Sequence, residues 1–264
     1  RLRFSATRSG AVHAAEARAI PLTGARAALA VLVCALPVLL GFVLPVLVLL
    51  RLVWLEAAPG EVGLPLARFA QWAWVSFKLA GLAALLATSI ALLLGFSLRL
   101  RESVALRLSA RVVSLGYAVP GAVIAVGILL PVGWLQERFP QLGSAALVTG
   151  TLFGLMYAYL VRFSAVALQS IEAGYARVPT SIDETAHLLG ASRRRMFLEL
   201  HAPLLRRAGL AAMLLVFVDV MKELPATLVL RPFGSDTLAV VAYNFARDER
   251  LGEAALPSLA IVAV

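Results

Sequence analysis

The chain carries several apolar runs, each about as long as the roughly 20 residues that a helix needs to cross a bilayer. Five complete runs are separated by short polar segments: Ala27–Val53, Phe69–Leu98, Val112–Leu130, Ala145–Val161 and Gly209–Leu228. A sixth run begins near Ala254 and extends to Val264. We therefore predict an all-α, polytopic membrane protein in which residues 27–264 form a unit of six transmembrane helices, the last of them truncated.

The composition agrees with a membrane protein. Hydrophobic residues make up 61% of the chain and the mean hydropathy is +0.89, whereas soluble domains are about 45–50% apolar. The net charge of +9 could also indicate a nucleic-acid partner, but the distribution of the basic residues argues against one. If the first run leaves the cytoplasm, most of the 24 Lys and Arg residues lie in cytoplasmic segments, as the positive-inside rule requires.

Both ends of the sequence resemble cuts within a longer protein. The first residue is Arg1 and not Met, and the charged start and cleavable apolar core that are typical of a signal peptide do not follow it. Residues 1–26 are basic and rich in small side chains, without a sustained apolar period. We interpret them as a solvated cytoplasmic linker.

A polar insert between the fourth and fifth runs has the pattern of two short helices. Ser181 followed by Glu184 is a capping-box pattern that predicts a helix start. Gly190 can adopt the left-handed conformation that ends such a helix, and Ser192 can cap the next one. We expect the first helix to cover Ser181–Leu189, on the cytoplasmic side of the membrane.

The spacing within this insert resembles the "EAA" loop of ABC-transporter permeases of the binding-protein-dependent importer type. The family pattern is Glu-Ala-Ala, three residues, Gly, nine residues, then Ile-x-Leu-Pro. Here it reads Glu184–Ala186, Gly190 and Leu200–Pro203, with mild departures at Thr185 and Ala202. The alternative interpretation is an ordinary helical hairpin between two spans.

The resemblance implies that a cytoplasmic ATPase dimer grips a coupling loop at about residues 162–207. It assigns the coupling role to seven positions: Ser181, Glu184, Ala186, Gly190, Arg193, Leu200 and Pro203. ATP-driven closure of the ATPases would move the short helix and rock the spans between two access states.

The fifth run ends in a charged cluster. Asp219 and Lys222 are three residues apart, and Asp219 and Glu223 are four apart, so these side chains can meet on one helix face. Pro225 breaks the helix just beyond them. Charges within a membrane helix are costly unless they are paired or face water. Two interpretations stay open: a structural ion pair near the outer interface, or a polar element that lines the translocation path.

Two further segments resemble ferric-iron permeases in particular. One is Tyr117–Gly121, preceded by Gly116, and the other is Lys222–Thr227. Helix breakers that line a cavity are common in transporters. The candidate path residues are Asp219, Lys222, Glu223, Tyr117 and Pro120.

The sequence lacks the motifs of an enzyme that would energise transport itself. No Gly-x-x-x-x-Gly-Lys-Ser/Thr loop is present, so the chain does not hydrolyse ATP and a partner must. Cys34 is the single cysteine, and His187 and His201 are not spaced as helical metal ligands. We predict a non-enzymatic transport subunit without a metal site or cofactor.

The resemblance implies the C-terminal half of a ferric-iron importer permease in the bacterial inner membrane. It further implies an external substrate-binding protein, surrounding membrane lipid, and a second six-helix unit fused upstream. One rival is a permease for thiamine, polyamine or another small solute. The other is an ion-coupled secondary transporter, against which the Glu184–Pro203 spacing argues, because such a transporter has no ATPase to dock.

Overall fold

A computed structural model describes residues 22–57, 66–101 and 103–264. Within these residues all regular secondary structure is helical. The chain divides into two compact units, Arg1–Val48 and Leu49–Val264. The predicted linker, residues 1–26, lies almost entirely outside the described residues and stays a prediction.

The first described helix, α1, is Gly24–Ala57 and has 34 residues, which confirms the predicted run Ala27–Val53. It contains a single wide π-type turn, Leu39–Val43. The turn lies just before Pro45, which has no backbone N–H to donate to the preceding turn. Such local widening is one of the few ways in which a long helix bends.

The core of the second unit is formed by three helices that pack against one another. They are α2 (Leu66–Leu100), α6 (Leu152–Tyr175) and α8 (Arg206–Met221). The buried face of α2 consists mainly of alanines, which let helices approach closely in a membrane: Ala80, Ala83, Ala84, Ala87 and Ala91. At one end of the bundle, Gly174 of α6 lies so close to Ala208 of α8 that a Cβ on the glycine would be 2.6 Å from the Ala208 side chain.

The predicted third span is broken in two. Val104–Leu115 forms α3 and Gly121–Arg138 forms α4, with a 115° bend between the two helical stretches. The predicted span Val112–Leu130 is therefore not one continuous helix, and α4 contains only its part from Gly121 onward. Pro120 accounts for the break, because a proline disfavours the helical conformation at the residue before it, and Val119 is extended with a ψ of 127°.

The predicted fourth span is displaced along the chain. Ser144–Thr149 forms the short helix α5, and α6 starts only at Leu152. Thr151 separates them because its hydroxyl accepts a hydrogen bond from the Phe153 N–H and so caps α6. Apolarity identified the stretch Ala145–Val161 but did not reveal the cap within it.

The predicted fifth span is also interrupted. After α8 ends at Met221, Pro225–Leu230 forms the short helix α9, followed by α10 (Leu238–Arg247) and α11 (Leu251–Ala263). The run Gly209–Leu228 therefore does not form one continuous helix, and its break lies next to Pro225, as predicted from the sequence. A proline in the first turn of a new helix explains why α8 does not continue.

Three helices of the described residues are long and apolar enough to cross a membrane, namely α1, α2 and α6, and the bent pair α3–α4 can supply a fourth span. Helices α8 and α11 have 16 and 13 residues. Both are shorter than the roughly 20 residues that the six-span prediction assumed for each span. The architecture is that of an all-α polytopic membrane protein with discontinuous helices.

Candidate functional site

The polar insert between α6 and α8 folds as two short helical stretches. The first, α7, is Ser181–Leu188, one residue shorter than predicted. The second, here called the return segment, is residues 193–204 and contains a π-type turn at Met196–His201. Pro203 follows that turn and has no N–H to complete a regular α-helical ladder.

The predicted capping box at the start of α7 is wrong. The residue before the helix is Thr180, which has helical backbone angles, and no side chain caps the helix there. Ser181 is already inside the first turn, where Asp183 and Glu184 place their negative charges near the positive end of the helix dipole.

The predicted end of α7 is confirmed. Gly190 has a φ of +72°, the left-handed conformation that glycine adopts without strain. The Ala191 N–H donates to the Ala186 carbonyl, and the Gly190 N–H donates to the His187 carbonyl. These two bonds form a Schellman motif. The Ser192 hydroxyl then accepts from the Arg195 N–H, which confirms Ser192 as the cap of the return segment.

Asp183 joins α7 to the end of α2. Its Oδ2 accepts a 2.6 Å hydrogen bond from the Nε of Arg99, and both side chains are about 15% exposed. Arg99 also donates from Nη2 to the Val178 carbonyl at 2.8 Å. The first turn of α7 is thereby held against the bundle by a charged pair, a connection that sequence reasoning missed because the two residues are 84 positions apart.

His201 in the return segment completes this anchor. It is fully buried, with its ring centroid 5.0 Å from Phe96 and 5.6 Å from Tyr175, and its Nε2 lies 3.0 Å from Asp183 Oδ1. Burial lowers the pKa of His201 below its usual value, although the Asp183 carboxylate acts in the opposite direction. The imidazole is therefore neutral at pH 7, and Arg99 carries the charge that balances Asp183.

The other side of α7 is exposed and apolar. Leu188 and Leu189 are 88% and 81% exposed. Two adjoining hollows of about 270 and 310 Å³ share Ala186, Leu189 and Leu200 among their lining residues. Three of the predicted coupling residues line these hollows: Ser181, Ala186 and Leu200. Glu184, a fourth, is exposed on the same helix.

The remaining predicted coupling residues shape the loop. Gly190 forms the turn, while Arg193 is exposed at the start of the return segment and Pro203 is exposed near its end. The structure thus brings an anchored side and an open apolar side together on one short helix.

The charged cluster at the end of α8 separates into two pairs. Lys222 Nζ lies 2.9 Å from Asp219 Oδ1, and the Lys222 side chain is 59% exposed. Glu223, in contrast, is buried and lies beside Arg162, with 3.5 Å between Glu223 Oε2 and Arg162 Nε. Lys222 therefore balances the charge of Asp219, as the interpretation of a structural ion pair requires. Glu223 pairs instead with Arg162, a partner that the sequence did not indicate.

Arg162 does not lie beyond the end of a span, where the sequence placed it. It lies within α6, about 15 Å from Leu152 and about 20 Å from Tyr175 at 1.5 Å per residue. The predicted orientation counted Arg162 among the cytoplasmic basic residues, and Arg162 is therefore removed from that count. A charge at such a depth is costly unless it is paired, and Glu223 supplies the opposite charge.

Glu223 also organises the helix that follows it. Its Oε1 accepts from the Ala226 N–H at 3.1 Å and so caps α9. The Thr227 hydroxyl donates to the Glu223 carbonyl at 2.8 Å and lies 2.7 Å from the Tyr159 hydroxyl of α6. The break between α8 and α9 is held against α6 by these contacts.

The break between α3 and α4 meets the same pair. A Cβ on Gly121 would clash with Glu223 Oε1 and lie 2.7 Å from Arg162 Nη1, and a Cβ on Gly116 would clash with the Val161 carbonyl. Tyr117 and Pro120, the two other predicted path residues, lie within this break and are exposed. Two interrupted helices therefore converge on the ion pair between buried Glu223 and partly buried Arg162, the arrangement that transporters use to place polar groups at membrane depth.

Comparison with known proteins agrees with this architecture. Residues 87–264 match the family described as "Binding-protein-dependent transport system inner membrane component". In solved structures, the bacterial alginate ABC transporter, crystallised with an alginate pentasaccharide-bound periplasmic protein, has a chain of similar fold. The TM-score is 0.64 at 12% identity, over 90% of each chain.

Two curated relatives have different named cargoes. The Fe(3+)-transport system permease protein FbpB 2 of Haemophilus influenzae is 28% identical over 189 residues, which are 71% of this chain and 35% of the relative. The putative 2-aminoethylphosphonate transport system permease protein PhnV of Salmonella typhimurium is 28% identical over 147 residues, which are 56% of this chain and 52% of the relative. The chain thus spans about a third and about half of these relatives.

The match to the family model covers residues 87–264, which are well over half of the chain. The family consists of membrane permeases and not of catalytic enzymes, and its members are multi-pass components of the bacterial inner membrane. This chain belongs to the family of binding-protein-dependent transport system inner membrane components, the permeases of ABC importers.

Proposed function

We propose that the chain is the permease subunit of an ATP-driven importer in which α7 receives the motion of a separate cytoplasmic ATPase dimer. The proposal rests on the difference between the two sides of α7. One side is tied to α2 by the Arg99–Asp183 hydrogen bond, and the other exposes Leu188 and Leu189. A partner that grips the leucines can pull on α2 through Asp183.

We propose ferric iron as the cargo. The iron permease of Haemophilus influenzae is 28% identical over 189 residues. The two segments that resemble ferric-iron permeases, Tyr117–Gly121 and Lys222–Thr227, also come together around Glu223. No group of three or more His, Cys, Asp or Glu in the described ranges could hold a metal ion, so cargo selection is assigned to an external substrate-binding protein and not to a site in this chain.

A second cargo candidate is a small organic solute, for which the phosphonate permease of Salmonella typhimurium is the specific support, at the same 28% identity. The remaining partner in either case is a second six-helix permease unit, proposed to be fused upstream. An ion-coupled secondary transporter is disfavoured, because the family match is to binding-protein-dependent systems.

Uptake measurements separate the cargoes. Cells that lack the permease gene should lose binding-protein-dependent uptake of radioactive iron and recover it with the wild-type gene. They should take up 2-aminoethylphosphonate, thiamine and polyamines normally. Intact iron uptake with loss of one of the other solutes would keep the importer function and overturn the iron assignment.

The role of α7 is tested by assembly. The Gly190→Pro and Glu184→Arg variants should insert in the membrane but retain less ATPase on purification and transport less cargo. Full ATPase retention with normal uptake in both variants would contradict the coupling role of α7.

A further inference from the structure

A groove beside α3 has no role in the transport mechanism proposed above. It has a volume of about 660 Å³ and lies between α3 and the ends of α2 and α6, within the size range of ligand sites. Arg107, Arg111 and Ser114 line it from α3, and Glu172 lines it from α6. Leu98 of α2 contributes an apolar wall.

The side chains of α3 are sorted into three faces. Ala110 is buried against the bundle. Arg107 and Arg111 follow on the next face and are exposed. The third face is apolar and exposed, since each of its members is more than half accessible: Val104, Leu108, Val112 and Leu115. Residues that recur at a spacing of three or four form one stripe of a helix, so α3 presents a basic stripe beside an apolar stripe.

The two arginines of the groove have no acidic partner among the described residues. Among the residues that the structure describes, neither Arg107 nor Arg111 forms an ion pair, although Glu172 lines the same groove. Each guanidinium therefore keeps donors that match the oxygens of a phosphate. Two arginines against one carboxylate leave the groove with a net positive charge.

The groove lies at the end of the bundle that faces the cytoplasm in the proposed orientation. Leu98 is next to Arg99, which anchors α7, and Glu172 is three residues before the end of α6. The cytoplasmic leaflet contains the anionic lipids of many membranes, and basic pockets between transmembrane helices on that side bind phospholipid headgroups.

We infer that this groove binds an anionic phospholipid, with the headgroup phosphate held by Arg107 and Arg111 and an acyl chain lying along Val104, Leu108 and Val112. A ligand that fits both stripes must have a phosphate and a long apolar part. A soluble anion would satisfy the arginines but leave the apolar stripe uncovered. The inference rests on the proposed orientation and is independent of the cargo.

Native mass spectrometry of the full transporter complex, extracted in detergent and titrated with phosphatidylglycerol, cardiolipin or phosphatidylcholine, tests the site. The wild type should retain the two anionic lipids in preference to phosphatidylcholine. At about a fivefold loss per removed charge near an anionic surface, Arg107→Gln/Arg111→Gln should bind them about 25-fold more weakly. Arg107→Lys/Arg111→Lys should retain most of the affinity, and Glu172→Gln should raise it by removing a competing carboxylate.

A charge-matched control is Arg194→Gln/Arg206→Gln, which removes two exposed arginines at the same end of the bundle but outside the groove. It should bind anionic lipid as the wild type does. Equal losses in the control and groove variants, or no loss in the groove variant, would overturn the inference. Displacement of phosphatidylglycerol by millimolar inorganic phosphate or 2-aminoethylphosphonate would identify a site for soluble anions and would also overturn it. Iron uptake is measured separately, so failure of the cargo assignment does not affect this result.

Discussion

The Nε of Arg99, in the last turn of α2, donates a 2.6 Å hydrogen bond to Oδ2 of Asp183, in the first turn of α7. The bond joins the transmembrane bundle to α7, a short helix that exposes Leu188 on its other side. Charged hydrogen bonds of this length are about twice as strong as neutral ones. The pair is therefore suited to transmit force between a partner on α7 and a 35-residue membrane helix.

Asp183→Asn should uncouple transport from ATP hydrolysis. The substitution keeps the size of the side chain but removes the charge that Arg99 meets, at a cost of about 1.5–3 kcal/mol. In proteoliposomes with the ATPase and binding protein, ATP hydrolysis should continue while uptake per ATP falls severalfold. The matched control is Glu199→Gln, which breaks the exposed Arg195–Glu199 pair of the same loop and should leave uptake per ATP unchanged. If the ratio of uptake to ATP hydrolysis were the same in the wild type and in the Asp183→Asn variant, the Arg99–Asp183 bond would not transmit force from the partner on α7.

Gly121→Ala should lower the stability of the assembled permease. The added methyl group overlaps Glu223 Oε1 and Arg162 Nη1, and overpacking of this kind costs about 1–3 kcal/mol. Gly127→Ala is the control in the same helix, because a Cβ there meets nothing within 4 Å. Melting in detergent should occur at lower temperature for Gly121→Ala and at an unchanged or higher temperature for Gly127→Ala. Equal melting of the two variants would show that α4 does not pack on the ion pair.

Glu223→Gln should be strongly destabilising, because it leaves the Arg162 charge unbalanced within the membrane. Breaking a buried pair from one side costs about 3–5 kcal/mol, whereas replacing both partners is often nearly neutral. The double variant Arg162→Met/Glu223→Gln should therefore recover much of the lost accumulation and thermal stability. A double variant no more stable than Glu223→Gln would show that the two residues are not energetically coupled.

Lys222→Met tests the other pair, which is much more exposed. Because the Lys222 side chain is 59% exposed, its loss should leave accumulation and assembly intact. If Asp219 and Lys222 line the path, uptake should change in Lys222→Met and should not return to normal in Asp219→Asn/Lys222→Met. Normal uptake in the double variant would identify the pair as structural and remove both residues from the path.

Several local features of these sites were predictable from the sequence. Gly190 and Ser192 have the predicted left-handed and capping roles, because both roles depend on residue type and immediate neighbours. The capping box at Ser181 failed because the helix starts one residue earlier than that motif requires, with Thr180 and not Ser181 as the residue before it.

The long-range contacts were not predictable from patterns. Arg99 contacts Asp183, and Arg162 contacts Glu223, although each pair is far apart in the sequence. The spacing of residues along the chain does not indicate which charges the tertiary fold brings together. The breaks in the third and fifth runs follow from Pro120 and Pro225. The break at Pro225 was predicted from that residue, whereas the predicted third span ran through Pro120, because hydropathy averages over single residues.

The burial of His201 predicts a loss of stability in mild acid. Its folded-state pKa is lowered from the usual value of 6.5, so the unfolded chain binds the proton more readily as the pH falls through about 6.5. The neutral, buried imidazole thus supports the fold above that pH and ceases to do so below it. His201→Gln should melt with a weaker pH dependence between pH 7.5 and 5.5 than the wild type. An identical dependence in the two proteins would exclude His201 as the source.

The most direct measurement of the central claim is a cross-link from α7 to the ATPase. In a transporter whose native cysteines, Cys34 among them, have been replaced, Leu188→Cys introduces a thiol at an 88% exposed position. Leu108→Cys introduces one on the exposed face of α3 as a control. A short bifunctional thiol reagent should join the Leu188→Cys permease, but not the Leu108→Cys permease, to single cysteines in the ATPase, with a yield that changes on addition of ATP. A complex that assembles and transports, yet gives no cross-link from Leu188→Cys to any ATPase position, would contradict the assignment of α7 as the element that receives the ATPase motion.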